Sequence, residues 1–313
     1  MKTHNILYPI FCLLIGATFI VSGVTKMFPI EPFEFSFVET KIIDWTLAPF
    51  LARFFIGIEL FIGTLFILNL YLKEFTYRAA YLLLIFFSLY LIVKLSIGNE
   101  DNCGCFGEFI PMSPFQAIVK NAFMLILIFI CNKNWVGWKF QYLKVRHNLL
   151  LIGFFSFTSP FILNTLQLDY SEAYLNRPEE VFKLHLDTLY ENFEIKAPPK
   201  SLSKGKHVMA FFSLSCPHCK IAAKKIALMH KLDPDVDYFM VLNGKKSEIR
   251  GFLRKTNTQE IGYSLLLGDS FIYLSGIHLP VIYLLNDNMV EHVLHYKELN
   301  QHDIDIWWKQ KNQ

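Results

Sequence analysis

The segment from His207 to Lys220 reads HVMAFFSLSCPHCK, and it decides the fold of the second half of the chain. Its first eight residues form an apolar run that is typical of a buried strand. Cys216 and Cys219 follow, and apolar residues then recur at helical spacing as far as Leu232. The pair is therefore predicted at the N-terminus of a helix, where the dipole and unpaired backbone N–H groups stabilise a thiolate.

The C-P-H-C spacing indicates a redox-active pair. Cys216 is the expected nucleophile, and Cys219, one helical turn later, is positioned to resolve the mixed disulfide. Pro217 suits the first turn, where its missing N–H is not needed, and His218 is expected to activate Cys216 as a donor or cation. The alternative is half of a zinc site. The second half of the chain has no further C-x-x-C and no H-x-x-x-H, so we expect no metal.

The surrounding pattern predicts an α/β domain with a mixed central sheet over residues 207–313. The expected elements are a strand at Tyr238–Leu242, a helix at Ser247–Arg254, a hairpin of Val281–Leu285 and Val290–Tyr296, and a last helix at Asp303–Lys309. Residues 170–206 carry three prolines and indicate a linker plus a peripheral element.

The first half has the composition of a membrane protein. The 313-residue chain is 53% hydrophobic with a mean hydropathy of +0.33, and its apolar excess lies in long uncharged runs before residue 170. A bilayer core of about 30 Å needs roughly 20 helical residues. Five segments qualify: Ile6–Phe28, Leu47–Leu70, Phe75–Ile97, Phe115–Cys131 and Leu149–Leu168. We therefore expect a multi-pass α-helical bundle of about five transmembrane helices: a four-helix membrane domain at residues 1–146 and a fifth helix at residues 147–169.

The charged loops predict the orientation of this bundle. The loops after the second and fourth segments are basic, whereas those after the first and third are mainly acidic. The N-terminus is therefore expected in the cytoplasm of a bacterium, with the chain in its cytoplasmic membrane. The loop after the third segment and the domain at residues 207–313 then face the same extracytoplasmic compartment. The net charge of +3 does not indicate a nucleic-acid partner.

The loop between the third and fourth segments contains a second cysteine pair. It reads NCGCFG from Asn102 to Gly107. Cys103 and Cys105 can bridge only in a small, strained ring, and strained disulfides exchange readily. This favours an electron carrier. A fixed surface disulfide and half of a metal site are the alternatives.

Charged residues inside the predicted spans are functional candidates by default, and five of them are singled out here. They are Lys26, Arg53, Glu59, Lys94 and Lys120. Cations near the loop would favour its thiolates. Equally, they could hold a quinone headgroup, pair with Glu59, or extend to the membrane interface.

The first half resembles the MauE branch of the DoxX-like membrane proteins. The residues that carry the resemblance are Gly16, Ser22-Gly23, Lys26, Ala52-Arg53, Gly57-Ile58-Glu59, Gly63 and Cys103–Gly107. This family is associated with methylamine utilisation, where it supports maturation of a disulfide-rich dehydrogenase subunit. The resemblance implies redox maturation more firmly than methylamine metabolism.

The second half resembles the thioredoxin superfamily. The run from Phe211 to Cys219 is similar to the Dsb-type oxidants, and Ser201–Lys206 is similar to the TlpA-type branch. Leu279-Pro280 matches the cis-proline of the family, so the resemblance implies a substrate-docking loop of His278, Leu279 and Pro280. Ala210 stands where the family usually has a buried acid or Asn that assists the second cysteine, which implies slower resolution.

Together these patterns predict a thiol–disulfide oxidoreductase that acts on extracytoplasmic cysteine-containing proteins. Electrons would pass between the pairs Cys216/Cys219 and Cys103/Cys105, with a quinone as donor or acceptor and no covalently bound cofactor. The direction of electron flow stays open. The alternative is a membrane-tethered thiol chaperone, or an assembly factor for a disulfide-rich client, without net redox turnover.

Overall fold

The computed structural model describes residues 6–96, 106–107, 112–137, 142–166 and 181–310. The chain forms two compact units, residues 1–166 and residues 167–313. Cys103 and Cys105 lie outside the described residues.

The first unit is a bundle of apolar helices. In chain order they are α1 (Leu7–Met27), α2 (Glu31–Val38), α3 (Ala48–Ile67), α4 (Tyr77–Ser96), α5 (Pro114–Asn134) and α6 (Tyr142–Leu163), and a π-helical turn, Leu72–Thr76, leads into α4. Within the part of the chain that the structure describes, four helical segments are long and apolar enough to cross a membrane: α1, α3, Leu72–Ser96 and α5. They coincide with the first four predicted spans, so the membrane-bundle prediction is confirmed for these helices.

The fifth predicted span falls on α6, a helix of 22 residues whose described apolar part is His147–Leu163. That this helix crosses the membrane stays a prediction. The helix contains Pro160 and ends at Leu163 rather than near Leu168.

Close contact between α1 and α3 depends on two glycines. A Cβ atom on Gly16 would lie 2.7 Å from the carbonyl oxygen of Gly63, and one on Gly63 would lie 2.9 Å from the carbonyl oxygen of Gly16. No larger residue fits without separating the helices. Small residues commonly allow membrane helices to approach in this way. The same packing brings the polar residues of α1 and α3 together.

The second unit consists of one central sheet with helices packed on both of its faces. Its elements are β1 (Phe182–Lys183), α7 (Leu186–Asn192), β2 (Phe193–Ile195), β3 (Lys206–Ser213), α8 (Pro217–Leu232), β4 (Tyr238–Asn243), α9 (Lys246–Thr256), β5 (Gly262–Leu266), α10 (Gly268–Ser275), β6 (Val281–Asn286), β7 (Met289–His295) and α11 (Gln301–Lys309).

The strand order is β1-β7-β6-β3-β4-β5-β2. Strands β3, β4 and β5 are parallel, whereas β6 runs antiparallel to β3 and β7 antiparallel to β6. A parallel β3-α8-β4 unit followed by an antiparallel hairpin and a last helix is the thioredoxin-like arrangement, so the predicted fold class is confirmed. The strand β5 and the helix α10 were not predicted. Residues 181–206, assigned from sequence to the linker and peripheral element, supply the two edge strands β1 and β2.

Strand β3 carries the core of this unit. Met209 and Phe211 pack into a cluster with residues of β4, β6 and α10, and Val208, Ala210 and Phe212 are buried on the opposite face. A strand that is apolar on both faces is expected between two helical layers. The segment that follows, Leu214–Cys216, therefore starts from the carboxyl end of the central strand of the sheet.

Candidate functional site

Cys216 is the N-cap residue of α8, and its sulfur accepts a hydrogen bond from the backbone N–H of Cys219 across 3.3 Å. Pro217 occupies the first turn of the helix. Cys216 is half-buried, whereas Cys219 is fully buried, and both thiols are free. The sulfur of Cys216 therefore faces solvent and the positive end of the helix dipole together.

The buried Cys219 has the properties of a poor acid. Burial raises the pKa of its thiol far above the ordinary range, and the hydrogen bond with Cys216 adds to the shift. The backbone of Ser213 opposes it. Ala210 is also buried, and its methyl side chain offers neither an acid nor an amide that could assist the deprotonation of Cys219. The thiol of Cys219 thus loses its proton less readily than an exposed thiol.

His218 lies in an aromatic group that sequence reasoning missed. Its ring stacks on Tyr296 with centroids 4.9 Å apart, and Tyr296 also contacts His295 at 4.6 Å. Burial lowers the pKa of His295; Glu298 opposes the shift, and Lys297 and His218 reinforce it. The β6–β7 register could have indicated this group, because it pairs the end of β7 with the start of β6 beside the cysteine pair.

The loop of His278, Leu279 and Pro280 lies beside the cysteine pair. Val281 pairs with Phe211 in the antiparallel β3–β6 ladder, so the residues before Val281 lie opposite those that lead to Cys216. The Leu279–Pro280 peptide bond is cis, which confirms that prediction. His278 is exposed, Leu279 is half-buried and Pro280 is buried.

Part of the C-G-C-F-G loop is described in the first unit. Phe106 is buried, and Gly107 has a left-handed backbone with φ = 58°. A Cβ atom at Gly107 would collide with the carbonyl oxygen of Thr25, so only glycine allows this loop to approach α1 so closely. Lys120 of α5 lies 4.7 Å above the ring of Phe106. The loop is therefore anchored beside Lys26, the neighbour of Thr25.

Lys26 and Glu59 form a buried ion pair between α1 and α3. Lys26 Nζ lies 2.6 Å from Glu59 Oε1, and the hydroxyl of Ser22 donates to the same oxygen at 3.0 Å. Rings of Phe33 and Phe87 lie 5.0 Å and 4.8 Å from the ammonium. Glu59 Oε2 is buried and has no hydrogen-bond partner among the described residues. Pairing with Glu59, one of the alternatives for these cations, is thus observed for Lys26.

Arg53 and Lys94 are paired with carboxylates of α2 and of Glu39, the residue that follows it, and the sequence did not predict these partners. Arg53 lies 2.6 Å from Glu34, and its guanidinium also donates to the carbonyl of Asn164, just beyond α6. Lys94 lies 3.2 Å from Glu39.

All four cations lie at one end of the bundle, at the C-terminal ends of α1 and α4 and the N-terminal ends of α3 and α5. The chain between α4 and α5, which contains Cys103 and Cys105, connects helices at this same end. None of the five candidate polar residues lies at the opposite end.

Comparisons with known proteins agree with these two halves. Residues 4–132 match the family model of methylamine utilisation protein MauE. The chain is 28% identical over 292 residues to Protein TlpB of Flavobacterium psychrophilum, and the alignment covers 79% of each protein.

Solved structures resemble the second half. A secreted disulfide oxidoreductase of Mycobacterium tuberculosis, homologous to E. coli DsbE, is 16% identical, with a TM-score of 0.30 over 38% of this chain and 98% of that chain. The thioredoxin domain of a thiol-disulfide oxidoreductase from Bacteroides vulgatus is 11% identical, with a TM-score of 0.29 over 35% and 83%. The chain is thus similar to MauE over residues 4–132 and to Protein TlpB over most of its length, and the strand order of its second unit is thioredoxin-like.

Proposed function

We propose that this protein exchanges electrons between extracytoplasmic cysteine-containing proteins and its own two cysteine pairs, Cys216/Cys219 and Cys103/Cys105. The observation that carries the proposal is the asymmetry of the first pair. Cys216 is accessible at the N-terminus of α8, and Cys219 is buried one turn later. A thiol–disulfide exchange needs one sulfur that attacks from outside and one that resolves the adduct from within.

The exchange proceeds in two balanced steps. In the reductive direction, the thiolate of Cys216 attacks a client disulfide, forms a mixed disulfide, and releases one client sulfur as thiolate. Cys219 then loses its proton and attacks the sulfur of Cys216. The Cys216–Cys219 disulfide forms, and the client leaves with two thiols. The oxidative direction is the reverse of these steps, and we leave the direction open.

The second step is the slow one in this proposal. Burial holds the pKa of Cys219 high, and Ala210 offers no carboxylate to take the proton. The mixed disulfide with Cys216 is therefore expected to persist longer than in a domain with a buried acid at that position. A long-lived adduct suits an enzyme that hands electrons to a tethered partner.

Client proteins are proposed to bind along the loop before β6. His278 and the fully solvent-facing Ile277, 80% exposed, lie beside Leu279 and the buried Pro280. An extended client segment placed here would bring its cysteine towards Cys216, because the β3–β6 register aligns the loop with the end of β3. Apolar residues at the rim favour an unfolded or partly folded client.

A quinone is the proposed electron partner of the membrane unit. The polar groups available to its headgroup are the ammonium of Lys26 and the unpartnered Oε2 of Glu59, next to the anchored Phe106-Gly107. A quinone would supply a two-electron, two-proton couple that dissolves in the membrane. Glu59 would hold or release a proton at Oε2, and Lys26 would stabilise its carboxylate.

The proposed location is the cytoplasmic membrane of a bacterium, with the N-terminus in the cytoplasm. The support is the distribution of basic loops. Under this orientation, and with α6 proposed as the fifth crossing, Cys103, Cys105 and the thioredoxin-like unit share the oxidising compartment.

The test is turnover of a disulfide-containing protein substrate by the full chain in proteoliposomes. Single Cys216→Ala and Cys103→Ala variants are each expected to reduce turnover to background, while both still bind the substrate. A different result would identify a thiol chaperone: the wild-type protein shows no turnover, and both variants still protect the client protein from aggregation.

A further inference from the structure

The phenol ring of Tyr296 lies against the first turn of the helix that begins after Cys216. It stacks on the imidazole of His218, with centroids 4.9 Å apart and an angle of 26° between the ring planes. The same phenol contacts the ring of His295, with centroids 4.6 Å apart. His218 is exposed and Tyr296 is half-buried. A surface imidazole is therefore held against a partly buried ring from a distant part of the sequence.

The sheet explains how Tyr296 reaches this helix. Val281 pairs with Phe211 in the β3–β6 ladder and with His295 in the β6–β7 ladder. Tyr296 directly follows His295, so it leaves the hairpin at the end of the sheet where β3 leads towards Cys216. The contact between the two rings thus follows from the register of three neighbouring strands.

The sulfur of Cys216 lies over the same helical turn as His218. It accepts a hydrogen bond from the backbone N–H of Cys219 across 3.3 Å, and His218 is the residue that precedes this donor. A cation beside a thiolate stabilises it, and a stabilised thiolate makes the disulfide easier to reduce. An exposed side chain that rotates freely in water contributes little of this effect, because its charge is screened and its position is not fixed.

The second imidazole on the phenol does not supply the charge at neutral pH. Burial lowers the pKa of His295; Glu298 opposes the shift, and Lys297 and His218 reinforce it. His295 is therefore neutral at pH 7, since its ordinary value is about 6.5. A cation that faces an aromatic ring is attracted by the electrons of the ring. The stack with Tyr296 thus favours a charged imidazole at His218 and fixes its place.

We propose that Tyr296 is a positioning residue for the exchange at Cys216: its ring holds the imidazole of His218 beside the sulfur and makes the Cys216–Cys219 disulfide a stronger oxidant. This inference rests on the exchange function proposed for the pair and deepens it. The reporting reaction is reduction by glutathione. Two glutathione thiols are oxidised to one glutathione disulfide, and the protein disulfide gains their two electrons and two protons to become two thiols.

Two other roles of Tyr296 predict different results. A phenol that only packs against the hairpin would affect the stability of the second unit and leave the redox equilibrium unchanged. A phenol that only contacts client proteins would change the KM for a client. It would also leave the equilibrium with glutathione unchanged, because no client is bound in that reaction.

The experiment measures the equilibrium constant for reduction of the Cys216–Cys219 disulfide by glutathione. It uses the full chain in nanodiscs, with Cys103 and Cys105 changed to serine. Tyr296→Leu is expected to lower the constant about three- to tenfold, the size of effect that one lost aromatic or cation–π contact produces. Tyr296→Phe keeps the ring and should restore the constant to within about twofold of the wild-type value.

A double-mutant cycle tests whether Tyr296 acts through His218. In a His218→Gln background, Tyr296→Leu should change the constant by less than about twofold, because the imidazole that it positions is absent. Tyr263→Leu is the matched control. It removes a half-buried tyrosine of β5 whose ring contacts Lys196 at 4.3 Å, away from the cysteine pair, and it should leave the constant unchanged.

Slow native alkylation of Cys219 in each variant shows that the second unit is folded, and Tyr296→Met replaces Tyr296→Leu if the leucine variant fails this check. The proposal is overturned if loss of the ring leaves the constant within about twofold of wild type, or lowers it equally in the His218→Gln background. A wild-type pair that never equilibrates with glutathione would instead contradict the exchange function itself, so the two failures are distinguishable.

Discussion

The backbone N–H of Cys219 donates a hydrogen bond to Sγ of Cys216 across 3.3 Å, while its own thiol is completely buried. One helical turn thus contains two thiols in unlike environments. The first is accessible and faces the helix dipole, and burial keeps the second protonated. The proposed division of roles between them follows from this difference.

Native alkylation should separate the two thiols. In the full chain with Cys103 and Cys105 changed to serine, iodoacetamide at neutral pH is expected to label Cys216 more than about a hundredfold faster than Cys219. Peptide mass spectrometry after short exposures measures both rates. In urea the two should be labelled at similar rates, which is the matched control. Equal labelling of the native protein would contradict the assignment of Cys216 as nucleophile.

Adding a methyl group at Gly16 should disrupt the close packing of α1 against α3. Gly16→Ala is expected to lower the free energy of unfolding of the membrane unit by about 1–3 kcal/mol, because the new Cβ would meet the Gly63 carbonyl at 2.7 Å. Gly153→Ala is the control, since its Cβ would lie 3.7 Å from Phe61, an ordinary contact. Denaturant unfolding in detergent compares the two. A Gly16 variant as stable as the control would show that the helices are not so close.

Removing one partner of the Lys26–Glu59 pair should destabilise the membrane unit much more than replacing both partners with apolar residues. Glu59→Gln leaves the ammonium of Lys26 buried without its counter-charge, so we expect a loss of about 3–5 kcal/mol of stability. The Lys26→Met, Glu59→Leu double variant should recover most of that loss, because it buries no charge. The same denaturant titration measures both. A Glu59→Gln variant of wild-type stability would mean that Lys26 has another counter-charge.

The stability of the second unit should depend on the protonation of His207. Burial acts against its charged form, but the hydrogen bond with Asp237 at 2.8 Å and those with the carbonyls of Lys204 and Ser201 outweigh it and raise its pKa. Because the pKa of His207 is higher in the folded state, its contribution to stability is fully present below the unfolded pKa of about 6.5. The contribution is lost as the pH rises through the higher folded pKa.

Hydrogen exchange of the β3 amides in the full chain, corrected for intrinsic rates, measures this effect. Protection should fall as the pH rises above about 6.5 in the wild type. It should stay flat across the same range in His207→Gln. A slope of the opposite sign in the wild type would contradict the raised pKa of His207.

The sequence predicts those features that depend on local pattern. Uninterrupted apolar runs are enough to locate α1, α3, α4 and α5, and the strand that ends in C-P-H-C is enough to locate β3 and α8. Partnerships across the fold are different, because they depend on how each helix is rotated about its axis. Apolar composition alone does not specify that rotation. The contacts of Arg53 with Glu34, and of Lys94 with Glu39, were therefore not predicted.

The edge strands show a second limit. β1 is only two residues long and β2 only three, and each gains its order by pairing with a strand far along the chain. Segments of this length have no periodicity to read. The aromatic contact of His218 with Tyr296 was missed for a different reason. The β6–β7 hairpin was predicted, but its position beside α8 depends on the pairing of β6 with β3.

The central claim is that the two cysteine pairs exchange electrons, and trapping their intermediate tests it most directly. In the full chain, Cys219→Ala removes the resolving thiol, so Cys216 should accumulate as a mixed disulfide with Cys103 or Cys105. Protease cleavage between the units, followed by non-reducing electrophoresis, should leave them joined until reductant is added. Adding Cys216→Ala should abolish the link. If the units separate without reductant, even when Cys103 or Cys105 is also removed singly, the pairs do not exchange electrons and the proposed relay is wrong.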